Sequence, residues 1–128
     1  MGVVYAAALR TTRITSVLTA IDAGAGAGTL EIGTAAMASV LATITLADPA
    51  GSVSGDVLTF TMPKSDTSAD NTGTAAAARI KDSDGNIIVS GLTVGTGSEN
   101  IVLDSTSITT GQNVTINSAT ITHNTTGT

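Results

Sequence analysis

A short acidic segment, Asp82-Ser83-Asp84-Gly85-Asn86, places side-chain oxygens at alternate positions, as the start of an EF-hand calcium loop does. Such a loop also needs a glycine at its sixth position and a bidentate glutamate at its twelfth. Here those positions hold Ile87 and Thr93. An Asp-Gly pair between two β-prone runs is instead typical of a hairpin turn. We therefore predict a β-hairpin at this segment, with a weak Ca²⁺ site as the alternative.

Three other acidic residues, Asp66, Asp70 and Asp104, leave a wider Ca²⁺ site open, because carboxylates are ligands that Ca²⁺ prefers. Their spacing in the sequence does not group them into a known binding loop. We accordingly assign no metal-binding residue.

The segment Gly24-Ala25-Gly26-Ala27-Gly28 has the composition of a phosphate-binding glycine loop. Loops of that kind follow a strand and open a helix, so that the amides at the helix N-terminus face the phosphate. Here a predicted helix enters the segment and a predicted strand leaves it. The segment therefore indicates a flexible linker, and we predict no cofactor and no cofactor-binding residue.

Groups that could act as a general acid or base are few. His123 is the sole histidine, Glu31 and Glu99 are the only glutamates, and cysteine is absent. A catalytic histidine needs a nucleophile and an orienting acid, and no motif places either beside His123. The two glutamates form no recognisable acid/base pair. We predict no catalytic residue and no enzymatic activity, with His123 exposed at the end of the last strand.

Two arginines and two aromatic residues are the remaining candidates for recognition. Arg10 and Arg13 are interpreted as an exposed helix face, with contact to an acidic partner surface as the alternative. Tyr5 and Phe60 are the only aromatics, and we interpret both as packing anchors.

The overall composition excludes several classes of partner. Five basic residues stand against ten acidic ones, and the formal net charge is −5, which disfavours a grip on nucleic acid phosphates. Two aromatic residues cannot build a platform for stacking bases or sugars. No apolar run approaches the roughly 20 residues that a membrane-spanning helix needs. We predict neither a nucleic acid nor a membrane partner.

The elements that position these residues follow from hydrophobic periodicity. Residues 5–22 show the three- and four-residue spacing of an amphipathic helix. After residue 28 the period changes to two, and it is clearest over residues 56–62. Residues 63–73 are polar and are interpreted as a surface loop. In the last strand Ile121 falls on the wrong parity, so we predict a β-bulge near Asn117-Ser118.

These patterns predict a mainly β fold: an antiparallel β-sandwich, jelly-roll-like, with about seven to nine short strands, preceded by one N-terminal α-helix. Residues 1–28 hold the helix and the glycine-rich linker. Residues 29–128 form the β-sandwich domain as a single globular unit.

A series of segments, in order along nearly the whole chain, carries a recognisable pattern. The segments are Thr19-Ala20-Ile21-Asp22-Ala23-Gly24, Gly28-Thr29-Leu30-Glu31-Ile32, Leu41-Ala42-Thr43-Ile44-Thr45-Leu46-Ala47-Asp48-Pro49, Asp66-Thr67-Ser68-Ala69-Asp70, Arg79-Ile80-Lys81-Asp82-Ser83-Asp84-Gly85, Thr106-Ser107-Ile108-Thr109, Gly111-Gln112 and Val114-Thr115-Ile116. Together they resemble small virion proteins of tailed bacteriophages. All of these segments are structural and none marks a chemistry. The pattern departs from that of such proteins at residues 75–78, where alanines stand in place of an aromatic before the Arg-Ile-Lys strand.

The resemblance implies a capsid decoration or cement protein on the outer surface of the virion. Its expected partners are the major capsid protein and other copies of this chain. We therefore expect a homo-oligomer, for which a trimer is one option. Many copies would add weak contacts through multivalency. The helix and the glycine-rich linker are the expected attachment elements. The alternative is a phage tail, baseplate or fibre component, including a receptor-binding β module.

Overall fold

The structure is a computed structural model that describes residues 5–123 of the 128-residue chain. Within that range one α-helix, α1 (Ala7–Ile21), precedes all of the strands. A short 3₁₀ turn at Ala35–Met37 separates the first two strands. The strands are β1 (Thr29–Gly33), β2 (Val40–Thr45), β3 (Gly51–Ser54), β4 (Val57–Phe60), β5 (Lys64–Asp66), β6 (Gly73–Thr74), β7 (Ala77–Lys81), β8 (Ile87–Gly95), β9 (Ile101–Leu103), β10 (Ser107–Ile108) and β11 (Val114–Thr122).

The predicted mainly β fold with one N-terminal helix is confirmed. Nine of the described strands form one sheet, with eight in the order β2-β1-β7-β8-β9-β11-β4-β3 and β5 paired to β11. The strands β6 and β10 pair separately. All of these pairs are antiparallel except β8 and β9, which are parallel, so the sheet is mixed. Asn100 braces that pair, since its Oδ1 accepts hydrogen bonds from the Thr93 amide and hydroxyl, both at 3.0 Å.

The sheet curls until its β2 edge meets the end of β5 and the segment that follows it. The Thr43 amide on β2 donates to Asp66 Oδ2 at 3.0 Å. The Asp70 amide donates to the Leu41 carbonyl at 2.7 Å, and Asn71 Nδ2 donates to the Val40 carbonyl at 2.8 Å. The interpretation of residues 63–73 as a plain surface loop is therefore wrong: the segment contains β5 and satisfies backbone groups that an edge strand would leave unpaired.

The core lies inside this curled sheet and is built from aliphatic side chains. Leu30, Ile44, Leu58 and Ile80 have no exposed surface, and Phe60 is buried beside them. The alternating burial of β1 and β4 is what a two-residue period demands of strands with one face inward. Phe60 is therefore the packing anchor that the sequence predicts.

The predicted β-bulge in the last strand is confirmed. The register between β9 and β11 shifts between Ile116 and Ser118. The extra residue lets Ile116 and Ala119, which have opposite parity, both reach the core. Ile121 packs against the same core, partly buried.

The helix α1 lies alongside β3 and contributes to the same core. Near its start, the Thr11 hydroxyl donates to the Gly55 carbonyl at 2.8 Å, and Arg10 Nε pairs with Asp56 at 2.9 Å. Just after its end, Asp22 Oδ1 accepts a hydrogen bond from the Ala50 amide at 2.9 Å. Residues 11 to 22 of a helix and residues 55 to 50 of a strand each span roughly 16 Å, so these contacts fix α1 over the whole length of β3.

Candidate functional site

The turn at residues 82–86 is a hairpin turn, as predicted, and joins the antiparallel strands β7 and β8. The carboxylate of Asp82 accepts its hydrogen bonds from groups within the turn. Asp82 Oδ1 accepts hydrogen bonds from the Asp84 and Asn86 amides at 3.0 and 2.9 Å, and Oδ2 accepts one from Asn86 Nδ2 at 3.1 Å. The carboxylate thus satisfies the backbone of the turn in the manner of an Asx-turn.

These hydrogen bonds lower the pKa of Asp82 below the ordinary range of an aspartate, chiefly the one from the Asn86 amide and then the one from the Asn86 side chain. A lowered pKa in the folded state makes ionised Asp82 stabilising above the unfolded pKa of about 3.9. That contribution is lost as the pH falls through the lower folded value. We expect the wild type to lose more stability than Asp82→Asn between about pH 5 and about pH 3 in chemical unfolding.

The matched control for this measurement is Asp84→Asn, because Asp84 lies on the same turn and its side chain makes no hydrogen bond among residues 5–123. It should follow the wild-type pH profile. Equal pH profiles of stability for the Asp82→Asn variant and the wild type would contradict the stabilising role given to ionised Asp82.

The other three acidic residues considered for Ca²⁺ do not meet at one point. Asp66 and Asp70 both contact Thr43 at the closed edge of β2, where Asp70 Oδ2 lies 3.3 Å from the Thr43 hydroxyl. Asp104 instead accepts a hydrogen bond from Asn117 Nδ2 at 2.6 Å. Among residues 5–123 there is no group of three or more histidine, cysteine or acidic side chains that could hold a metal ion.

The glycine-rich segment is packed at both of its ends. A Cβ atom at Gly24 would overlap the Ser83 hydroxyl, which donates to the Ala23 carbonyl at 3.1 Å. A Cβ atom at Gly28 would lie 2.6 Å from the Lys81 carbonyl oxygen. Only Gly26, in the middle, has open space around it. The expectation of a freely flexible linker is therefore wrong at Gly24 and Gly28, where glycine permits a close approach to the β7–β8 hairpin.

The two glutamates lie apart, Glu31 on β1 and Glu99 in the segment between β8 and β9. Glu31 on β1 pairs with Arg79 at 2.6 Å and with Lys81 at 3.4 Å across β7. Partial burial raises its pKa, but the hydrogen bonds and charges of Arg79 and then Lys81 outweigh burial, so the pKa is lowered overall. Glu99 accepts a hydrogen bond from the Gly97 amide at 3.0 Å, which lowers its pKa. Each glutamate therefore has a structural contact, Glu31 with the neighbouring strand and Glu99 within its own turn.

The residues at the start of α1 form a cluster with His123. The Arg13 guanidinium lies 4.5 Å from the centroid of the Tyr5 ring, and the His123 ring meets Tyr5 edge-on at 6.3 Å between centroids. Arg10 contacts the Tyr5 carbonyl as well as Asp56. The side chain of Tyr5 is 41% exposed, so its interpretation as a packing anchor is wrong. His123 follows β11 directly and is half-buried rather than exposed.

Sequence reasoning missed one concave feature, a cavity of about 240 Å³ between the β9–β10 turn and the start of β11. Its only signal in the sequence is a polar turn before the last strand, which by itself indicates only a change of direction. The lining residues are Leu103, Asp104, Ser105, Gln112, Asn113, Val114 and Thr115.

Searches against protein-family models, curated proteins and solved structures find no match to this chain. Within the described range no helix has the length and apolar character needed to cross a membrane.

Proposed function

We propose that the chain is a structural virion protein, a capsid decoration or cement protein that binds the outside of the major capsid shell. The observation that supports this most directly is how the acidic side chains are used. Eight of the ten each accept at least one hydrogen bond or ion pair within the fold. They are Asp22, Glu31, Asp56, Asp66, Asp70, Asp82, Glu99 and Asp104.

Carboxylates that hold turns, edges and strands in place make the scaffold stiff, which suits a part that keeps its shape on a shell. They also leave much of the remaining surface to threonine, serine and alanine. An uncharged surface costs less free energy to desolvate when it is buried against a partner than a charged one does.

The outer side of α1 supports this role in a specific way. Four exposed hydroxyls on this side each donate to the backbone carbonyl four residues earlier, so few hydroxyl donors remain free there. Among residues 5–123, two of the three exposed large apolar residues are Tyr5, just before this helix, and Leu9 (44% exposed), in its first turn. The four hydroxyl residues are Thr12, Thr15, Ser16 and Thr19. We propose that this outer side, on a helix docked to the sheet, contacts the shell.

The test is rebinding of the purified protein to virions of the encoding phage from which it has been stripped, with bound copies counted by quantitative mass spectrometry. Saturation on the order of hundreds of copies per particle is expected for a shell protein. Leu9→Glu should lower the bound copy number severalfold, because it places a charge in the proposed contact.

The matched control is Ile87→Glu, since Ile87 is the third exposed large apolar residue and lies on β8. It should bind as the wild type does. Saturation at about three to twelve copies would favour a tail or baseplate location instead. Absence of the chain from virions would refute every virion role, and loss of binding in Ile87→Glu alone would move the contact from α1 to β8.

A further inference from the structure

The cavity between the β9–β10 turn and β11 is built from side chains that are already held in place. Asp104 Oδ1 accepts a hydrogen bond from Asn117 Nδ2 at 2.6 Å, and the Thr115 and Ser65 hydroxyls lie 2.8 Å apart. Gln112 Oε1 accepts a hydrogen bond from the Thr109 amide at 2.9 Å. The site therefore needs little ordering when a ligand enters, which lowers the entropic cost of binding.

The lining of the cavity is mostly polar. Leu103 and Val114 also line it, but they are 2% and 4% exposed, so they offer a ligand little apolar surface. The rim is polar and contains a single charged group, the Asp104 carboxylate, and no basic residue lines the cavity. Asp104 Oδ2 and the Asn113 side chain make no hydrogen bond among the described residues. Both can accept one from a ligand.

This arrangement selects a ligand class. A polar lining with one carboxylate and no basic residue matches a group that carries positive charge and N–H donors. The formal net charge of −5 on the chain attracts such a cation. A sugar would suit the polar rim but lacks an aromatic face to stack on, since none of the lining residues is aromatic.

We propose that this cavity binds one organic cation with N–H donors, the chemistry of the head group of a lysine or arginine side chain presented by a protein partner. The proposal stands on the geometry of the cavity and does not depend on the virion role. It assigns Asp104 as the group that pairs with the cation.

The experiment is an NMR titration of the intact protein with n-butylammonium and with N-propylguanidinium, following the amides of residues 103–105 and 112–115. Saturable shifts confined to these residues are expected. Asp104→Asn should weaken binding about two- to fivefold, the range of an exposed ion pair. Asparagine at this position still accepts the hydrogen bond from Asn117, so the fold is retained.

The controls separate a built site from simple charge attraction. n-Butanol has the same stem without charge, and tetramethylammonium has the charge without N–H donors, so both should bind more weakly. Asp84→Asn removes the same charge from another turn and should leave the affinity unchanged. Equal binding of either control ligand, equal affinity in Asp104→Asn and the wild type, absence of saturable shifts, or selective binding of methyl glucoside would each overturn the proposal. None of these outcomes bears on whether the chain is found on virions.

Discussion

Replacing Ile21 by alanine should lower the free energy of unfolding by about 2–5 kcal/mol. Ile21 is the last residue of α1 and has no exposed surface, and it belongs to the same buried cluster as the sheet residues Leu30 and Leu58. Truncating it removes three buried carbon atoms and leaves a cavity that the surrounding strands cannot fully close. Urea unfolding of the wild type and of Ile21→Ala measures the difference in unfolding free energy. We expect the two proteins to have equal m values.

The control for this experiment is Leu9→Ala in the same helix. Leu9 is largely exposed, so its truncation should change the unfolding free energy by no more than about 0.5 kcal/mol. A small and equal effect at both positions would mean that α1 does not pack on the sheet in solution. The helix would then be a free attachment arm, as the sequence alone suggests.

The second large effect is expected at Gly28, where alanine should destabilise the protein by about 1–3 kcal/mol. The added Cβ atom would lie 2.6 Å from the Lys81 carbonyl oxygen and 3.0 Å from both the carbonyl oxygen and Cγ2 of Ile21. Two of these three atoms are backbone, so relief requires β1, β7 or the end of α1 to shift. Thermal unfolding followed by circular dichroism measures the change.

Gly26→Ala is the matched control, because it makes the same substitution two residues earlier in the same segment. A Cβ atom at Gly26 meets nothing within 4 Å. Alanine there should be neutral or stabilise the protein by up to about 1 kcal/mol, through the lower entropy of the unfolded chain. Similar melting temperatures for the Gly26 and Gly28 variants would show that the segment is loose throughout its length.

These two experiments address the same difference between sequence and structure. The spacing of Ile14, Val17 and Ile21 predicts a helix and its apolar side, and α1 ends at Ile21 as the glycine segment requires. The same pattern does not say what covers that apolar side. A helix bound to a partner and a helix docked on its own sheet have the same periodicity. The contacts of Asp22 with Ala50 and of Thr11 with Gly55 show that the helix is docked on its own sheet. These contacts join positions far apart in the chain.

The candidate sites also differ in whether the sequence alone predicts them. The Asp82 turn is predictable because the hydrogen bonds to the Asp82 carboxylate all form within five consecutive residues. The cavity beside Asp104 is not, because its two sides come from turns that the sequence separates and the β9–β11 pairing brings together. The hydrogen bond between Asn117 and Asp104 likewise depends on that pairing.

The sequence by itself determines the local elements of this protein: the helix, the period-two strands, the Asp-Gly hairpin and the bulge that restores the parity of the last strand. Each depends on the backbone preferences of neighbouring residues and on the alternation of apolar and polar side chains. These local effects do not depend on the rest of the chain. Only the tertiary structure decides that the helix shares the core, that residues 66–71 close the β2 edge, and that a cavity forms beside Asp104. Those features come from non-local pairing of backbone and side-chain groups, whose partners a single sequence does not specify.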